Sequence, residues 1–130
     1  MQELAIWAFA SLLVLHGLIH LMGTTVYMKL GQIQGLPYKT TLLGRRWNLG
    51  ERGIRVFGAL WILPAVGFVL AGAALFANHP AWGSLAIVSC VVSLALTLLD
   101  VRAAFAGAIL DVLILAATWV GPILRSRLGG

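Results

Sequence analysis

Four long apolar runs fill most of the chain, and they constrain its fold more than any motif does. They extend from about Leu4 to Leu30, Ile54 to Ala77, Ala81 to Leu99 and Ala103 to Leu124. Each is close to the roughly 20 apolar residues that carry an α-helix across a bilayer. In lipid a segment must satisfy its own backbone, which leaves only helices and closed barrels. Barrel strands alternate apolar and polar residues, whereas these runs are continuous. The expected fold is therefore all-α: an integral membrane four-helix bundle forming a single domain over residues 1–130. The turns at Asn78–Pro80 and Asp100–Arg102 are short, so consecutive helices should be neighbours in an up-down-up-down antiparallel order, with the first and fourth also adjacent. Composition agrees. Of 130 residues, 61% are apolar and only 10% are charged, against about 25% charged in a soluble domain.

Charge placement predicts orientation. Lys29, Lys39, Arg45, Arg46, Arg52 and Arg55 surround the first connection, Gly31–Gly53, and Arg102 lies in the third. The second connection carries neither Lys nor Arg. By the positive-inside rule the first and third connections face the cytoplasm and both termini face outward, in a cell (inner) membrane. Arg125 and Arg127 oppose this weakly. Trp7, Trp82 and Trp119 then fall near the outer boundary, as an aromatic belt. The first run lacks the basic leader and the cleavage site of a signal peptide. The net charge of +5 is explained by topology and anionic headgroups, so no nucleic-acid partner is expected. The expected partners are the lipid bilayer and either partner membrane subunits or further copies of the chain. A single cysteine, Cys90, excludes an intrachain disulfide and chemistry that needs a thiol pair.

Ionisable groups inside a span are costly, and they mark candidate sites. His16 and His20 lie four residues apart in the first run, so both imidazoles share one helix face. They are the candidate metal ligands. Asp111 lies well inside the fourth run. Counting 1.5 Å per residue from the cytoplasmic ends places it at about the depth of His20. A His20–Asp111 contact would solve both groups' desolvation, with Asp111 orienting the histidine or relaying protons. Asp100 precedes Asp111 by eleven residues, close to three helical turns; it has Arg102 as its expected partner and is a second candidate for the same outer role. Ser89, Ser93 and Thr97 form a hydroxyl stripe that should face inward, with Val91, Val92 and Leu98 outward. Ser93 is its candidate relay member. Such hydroxyls also bond their own helix carbonyls with no further role.

Pro64 should kink the second helix. Gly67-x3-Ala71 and Ala103-x3-Gly107 are small-residue pairs that permit close helix approach. His79 should be a solvated turn residue, and Trp47 and Leu49 should dip the first loop into the interface.

The stretch His16-Gly17-Leu18-Ile19-His20-Leu21-Met22-Gly23 resembles the first-helix motif of a group of small bacterial four-helix membrane proteins. Gly44-Arg45-Arg46-Trp47-Asn48-Leu49-Gly50, followed by Arg55-Val56-Phe57-Gly58-Ala59-Leu60-Trp61, and the Asp100 turn resemble that group's loop and helix starts. In architecture the group is similar to DoxX-like proteins, some of which are membrane subunits of quinone-linked oxidation systems. The resemblance implies the four-helix fold; fold by itself does not imply function. Three functional readings follow. One is a redox- or metal-associated membrane subunit that holds a metal ion or haem on His16 and His20. The second is a non-catalytic subunit or assembly factor whose polar residues only set packing. The third is a small proton-coupled transporter using Asp111 and His20. Nothing resembles the first-helix glutamate of small multidrug transporters, since Glu3 lies at the outer end. No catalytic residue is assigned.

Overall fold

A computed structural model describes residues 2–128, with side chains described for residues 3–100 and 104–119. The chain is mostly helical. α1 spans Gln2–Tyr27, α2 Gly50–Leu60, α3 Ile62–Phe76, α4 Trp82–Leu99 and α5 Val101–Leu128. α2 and α3 form one rod interrupted at Trp61, so four rods make the fold. Three of them, Glu3–Tyr27, Gly50–Phe76 and Trp82–Leu99, are long and apolar enough to cross a membrane. The apolar part of α5 among the described residues is Ala104–Trp119.

The interruption at Trp61 has a covalent cause three residues on. Pro64 has no N–H to give the Leu60 carbonyl, so the ladder breaks where that carbonyl is left over. α1 stops at Tyr27, three residues before the end of its apolar run, because Lys29 turns left-handed (φ 57°) and Leu30 N–H returns to the Thr25 carbonyl at 2.8 Å. Asn78 (φ 55°) closes α3 in the same way. α5 is bent at Ala104 (φ −116°, ψ 20°).

Among the described residues, α1 packs along α3 and α2, α3 along α4, and α4 along α5. Among the described residues, α1 and α5 meet through the His16–Asp111 contact without the extended backbone packing of α1 on α3, so the expected first-to-fourth adjacency is held by side chains. Close approach depends on two glycines of the α1–α3 crossing. A Cβ on Gly17 would sit 2.7 Å from the Ala65 carbonyl oxygen, and one on Gly72 2.8 Å from that of Ala10. Gly67 is tight against Ser89 of α4, as the small-residue pattern anticipates. Gly107 faces open space instead, and the side chain of Ala103 lies outside the described residues.

The core has two apolar layers. One joins Leu13, Phe68, Ala71, Ala86, Cys90 and Ile114; the other joins Val26, Leu42, Ile54, Phe57, Trp61 and Leu96. The second layer is closed by the connection between α1 and α2. There β1 (Thr41–Leu42) and β2 (Trp47–Asn48) pair antiparallel, and Leu43 N–H donates to the Leu99 carbonyl at 3.0 Å. Leu42 is fully buried and Leu49 packs against the same layer. The loop therefore plugs one end of the bundle; Leu49 does not dip outward, whereas Trp47 is exposed.

Candidate metal centre

Between the two apolar layers lies a polar one. His16, His20, Ser93, Thr97 and Asp111 are all buried there. Gly17 has a direct part in this. By letting α1 press against α3, it holds the histidines on the adjoining face inside the bundle, with both rings edge-on to Phe68 or tilted over it.

The side chains form one chain of hydrogen bonds. His16 Nε2 and Asp111 Oδ1 are 2.7 Å apart. Ser93 Oγ and Asp111 Oδ2 share a hydrogen bond. His20 Nε2 meets Ser93 Oγ at 2.6 Å, and His20 Nδ1–H donates to the His16 carbonyl at 2.7 Å. Two proton arrangements put a hydrogen in every one of these contacts. In one, His20 is imidazolium and Asp111 carboxylate. In the other, Asp111 is protonated and donates to Ser93, which donates to a neutral His20. Both are neutral overall, which suits an apolar surrounding. In both, His16 donates from Nε2, and its buried Nδ1 has no partner. Trp61 Nε1 is likewise buried and unpartnered.

All the mid-bundle residues singled out from sequence are thus brought together, with one exchange of roles. Asp111 contacts His16 directly and reaches His20 through Ser93, whereas the depth count paired it with His20. The cause is the early end of α1. Counted from Tyr27 rather than Leu30, the level of Asp111, ten residues into α5, falls at His16. Ser89, Ser93 and Thr97 all face inward, while Val91 and Leu98 are exposed and Val92 is half-buried.

Asp100 lies elsewhere, at the junction of α4 and α5 beneath the loop. It is buried, accepts from Tyr27 Oη–H and pairs with Lys39 Nζ at 2.5 Å. Lys39 and Tyr27 therefore fill the place expected of Arg102, whose side chain lies outside the described residues. Sequence spacing marks neither partner. His79 is exposed in its turn and its Nδ1 accepts from Ala81 N–H.

One ligand-type atom from each of His16, His20 and Asp111 lies within 4.8 Å of the other two. Two imidazoles and a carboxylate are a donor set suited to zinc or to non-haem iron, and three protein ligands leave coordination positions open. The His20 Nδ1–H bond to a carbonyl leaves Nε2 as the ligating atom and sets the ring's orientation. Haem does not fit. The two histidines are neighbours on one helix, with ring centroids 4.5 Å apart, so no macrocycle can lie between them as axial ligands. The adjoining cavity, about 180 Å³, is below the usual small-ligand size. Comparison of the chain with protein-family models, curated proteins and solved structures finds no match.

Proposed function

We propose that the protein is an integral membrane four-helix bundle that binds one transition-metal ion at mid-bundle through His16, His20 and Asp111, as a metal- or redox-associated membrane subunit. The observation that carries the metal reading is the convergence of three buried ligand atoms within 4.8 Å. Asp111 acts as the third ligand rather than only as an orienting group, and Ser93 holds its second oxygen. Zinc or ferrous iron matches the donor set, and such an ion supplies Lewis-acid or one-electron chemistry at its open positions.

The membrane reading is supported by three apolar helices of spanning length and by outward-facing Leu15, Leu63, Leu70, Val88, Val91 and Leu113, all more than half exposed. So much exposed apolar surface is sustainable only against lipid or a partner. The up-down-up-down order is supported by the contacts of α1, whose residues 10, 17 and 23 approach residues 72, 65 and 61 in reverse order. The positive-inside rule places the plugging loop in the cytoplasm and both termini outside. The proposed likeness to DoxX-like proteins rests on the four-helix pattern read from the sequence.

Metal analysis of protein purified in mild detergent tests the reading: metal that is retained by the wild type and lost in His16→Ala, His20→Ala and Asp111→Ala supports it. A second reading, a metal-free polar network that fixes helix register, is favoured by hydrogen bonds that already engage every atom of the set except His16 Nδ1. It predicts no bound metal.

A further inference from the structure

The cavity of about 180 Å³ between α1 and α5 runs from mid-bundle toward the first connection. His16, His20 and Thr97 line it at mid-bundle, and Tyr27, Asp100 and Leu36 line it on the loop side. Leu36 is the lining residue that the loop itself supplies. It belongs to a short stretch, Ile33–Lys39, laid across that end of the bundle. Gly35 is left-handed (φ 84°), which turns the chain so that Leu36 N–H returns to the Ile33 carbonyl at 3.1 Å.

Few bonds hold this stretch down. Among the described residues, none of its backbone groups bonds to a helix. Its attachments are side chains: Ile33 and Leu36 against the second apolar layer, Tyr38 under the Lys29 ammonium, and Lys39 Nζ on Asp100 Oδ1 at 2.5 Å. The partners of that ion pair sit in different surroundings. The Lys39 side chain is 33% exposed and that of Asp100 only 2%, so the pair stands where outside water meets the end of the cavity. Asp100 is also held from within by Tyr27 Oη–H, which leaves Lys39 as the partner free to depart. A segment with so few backbone bonds and buried contacts opens at small cost. The carboxylate it uncovers attracts cations and repels anions. A small cation arriving from the loop side can take the place of the ammonium, so the buried carboxylate is never left uncompensated. An anion has no such exchange.

We infer that Ile33–Lys39 is a strap over the loop-side end of the cavity, latched by Lys39 on Asp100, and that it admits small cations from the aqueous phase. Onward passage of a metal ion to His16, His20 and Asp111 rests on the function proposed above; the latch and its charge preference do not.

The test uses metal-free, full-length protein in lipid nanodiscs, with both faces bathed in buffer. Gly107→Cys, in a Cys90→Ala background, puts a reporter thiol in the cavity wall at a position where a Cβ meets nothing within 4 Å. Thr97→Cys is a second reporter on the opposite wall. Each is labelled with two membrane-impermeant methanethiosulfonates, one a trimethylammonium and one a sulfonate, and each rate is divided by the reagent's rate with a free thiol. Labelling should be slow with the latch intact. Lys39→Met removes a charge-assisted bond and should raise the cationic rate by roughly tenfold or more, with the sulfonate lagging behind. If Lys39→Met folds poorly, Lys39→Met with Asp100→Asn strands no charge; it should also label fast, and without preference for the cation. Gly17→Ala, which loosens the bundle away from the strap, should leave labelling slow. Rates unmoved by Lys39→Met, rates raised equally by Gly17→Ala, or equal rates for the two reagents in Lys39→Met would overturn the strap. Because no metal is present, failure of zinc or iron to bind leaves this result intact, and metal binding with latch-independent labelling would sink the strap alone.

Discussion

Asp111→Leu isolates the energetic role of the polar layer. The substitution removes the acceptor of both His16 Nε2 and Ser93 Oγ and leaves both groups buried among apolar neighbours. A buried donor stripped of its partner costs about 1–3 kcal/mol. Interhelical hydrogen bonds in membrane proteins average about 0.6 kcal/mol and reach about 1.7. With two bonds lost, the expected destabilisation is about 1–3 kcal/mol. Asp111→Asn should cost less than about 1 kcal/mol, because its amide supports an unbroken alternative. The Asn oxygen accepts from His16 Nε2–H, its NH₂ donates to Ser93 Oγ, and Ser93 then donates to His20 Nε2. The difference between the Leu and Asn variants should shrink when His16 is replaced by Ala, since one of the stranded groups is then absent. Reversible unfolding in mixed detergent micelles, run as a double-mutant cycle, measures this. A stable Asp111→Leu variant, or a Leu–Asn difference that His16→Ala leaves unchanged, would refute the network as a source of stability.

Other substitutions test the parts of the fold that position the site. Gly17→Ala should destabilise the protein by about 1–3 kcal/mol through overpacking at the Ala65 carbonyl, while Gly83→Ala, with nothing within 4 Å of its new methyl, should be neutral or stabilising in the same unfolding assay. Lys39→Met should cost about 1–3 kcal/mol by stranding the buried Asp100 carboxylate, and adding Asp100→Asn should recover part of it. Gln34→Cys, in the exposed part of the first loop, should be shielded from an impermeant thiol reagent added outside cells and labelled after permeabilisation; outside labelling of intact cells would reverse the assigned orientation.

Much of the site is legible before any coordinates because lipid makes buried polarity conspicuous. His16, His20, Ser93 and Asp111 stand out against apolar runs, and helical periodicity aligns the first pair. Which histidine meets Asp111 is set by a detail that periodicity does not carry, the left-handed residue Lys29 that ends α1 at Tyr27. Four residues along a helix amount to about 6 Å, so an error of three residues at a helix end suffices to exchange the partners. Asp100 illustrates a different limit. Its partners lie 61 and 73 residues away, on a loop and on α1, and only the tertiary fold brings them together. The β1–β2 pair is two residues per strand, too short for alternation to register. The α1–α5 cavity depends on which helices fail to pack, and side-chain patterns within single helices are silent on that.

The central claim is that His16, His20 and Asp111 bind a metal ion. Elemental analysis of the wild type and three single variants, purified in mild detergent after equilibration with zinc or ferrous iron, tests it most directly. Stoichiometric metal in the wild type is expected, with loss in His16→Ala, His20→Ala and Asp111→Ala. In Ser93→Ala, which removes the hydroxyl that meets both Asp111 Oδ2 and His20 Nε2 but no ligand atom, affinity should fall by about 10–100-fold rather than vanish. Wild-type protein free of metal after equilibration, or metal retained equally by all three ligand variants, would contradict it.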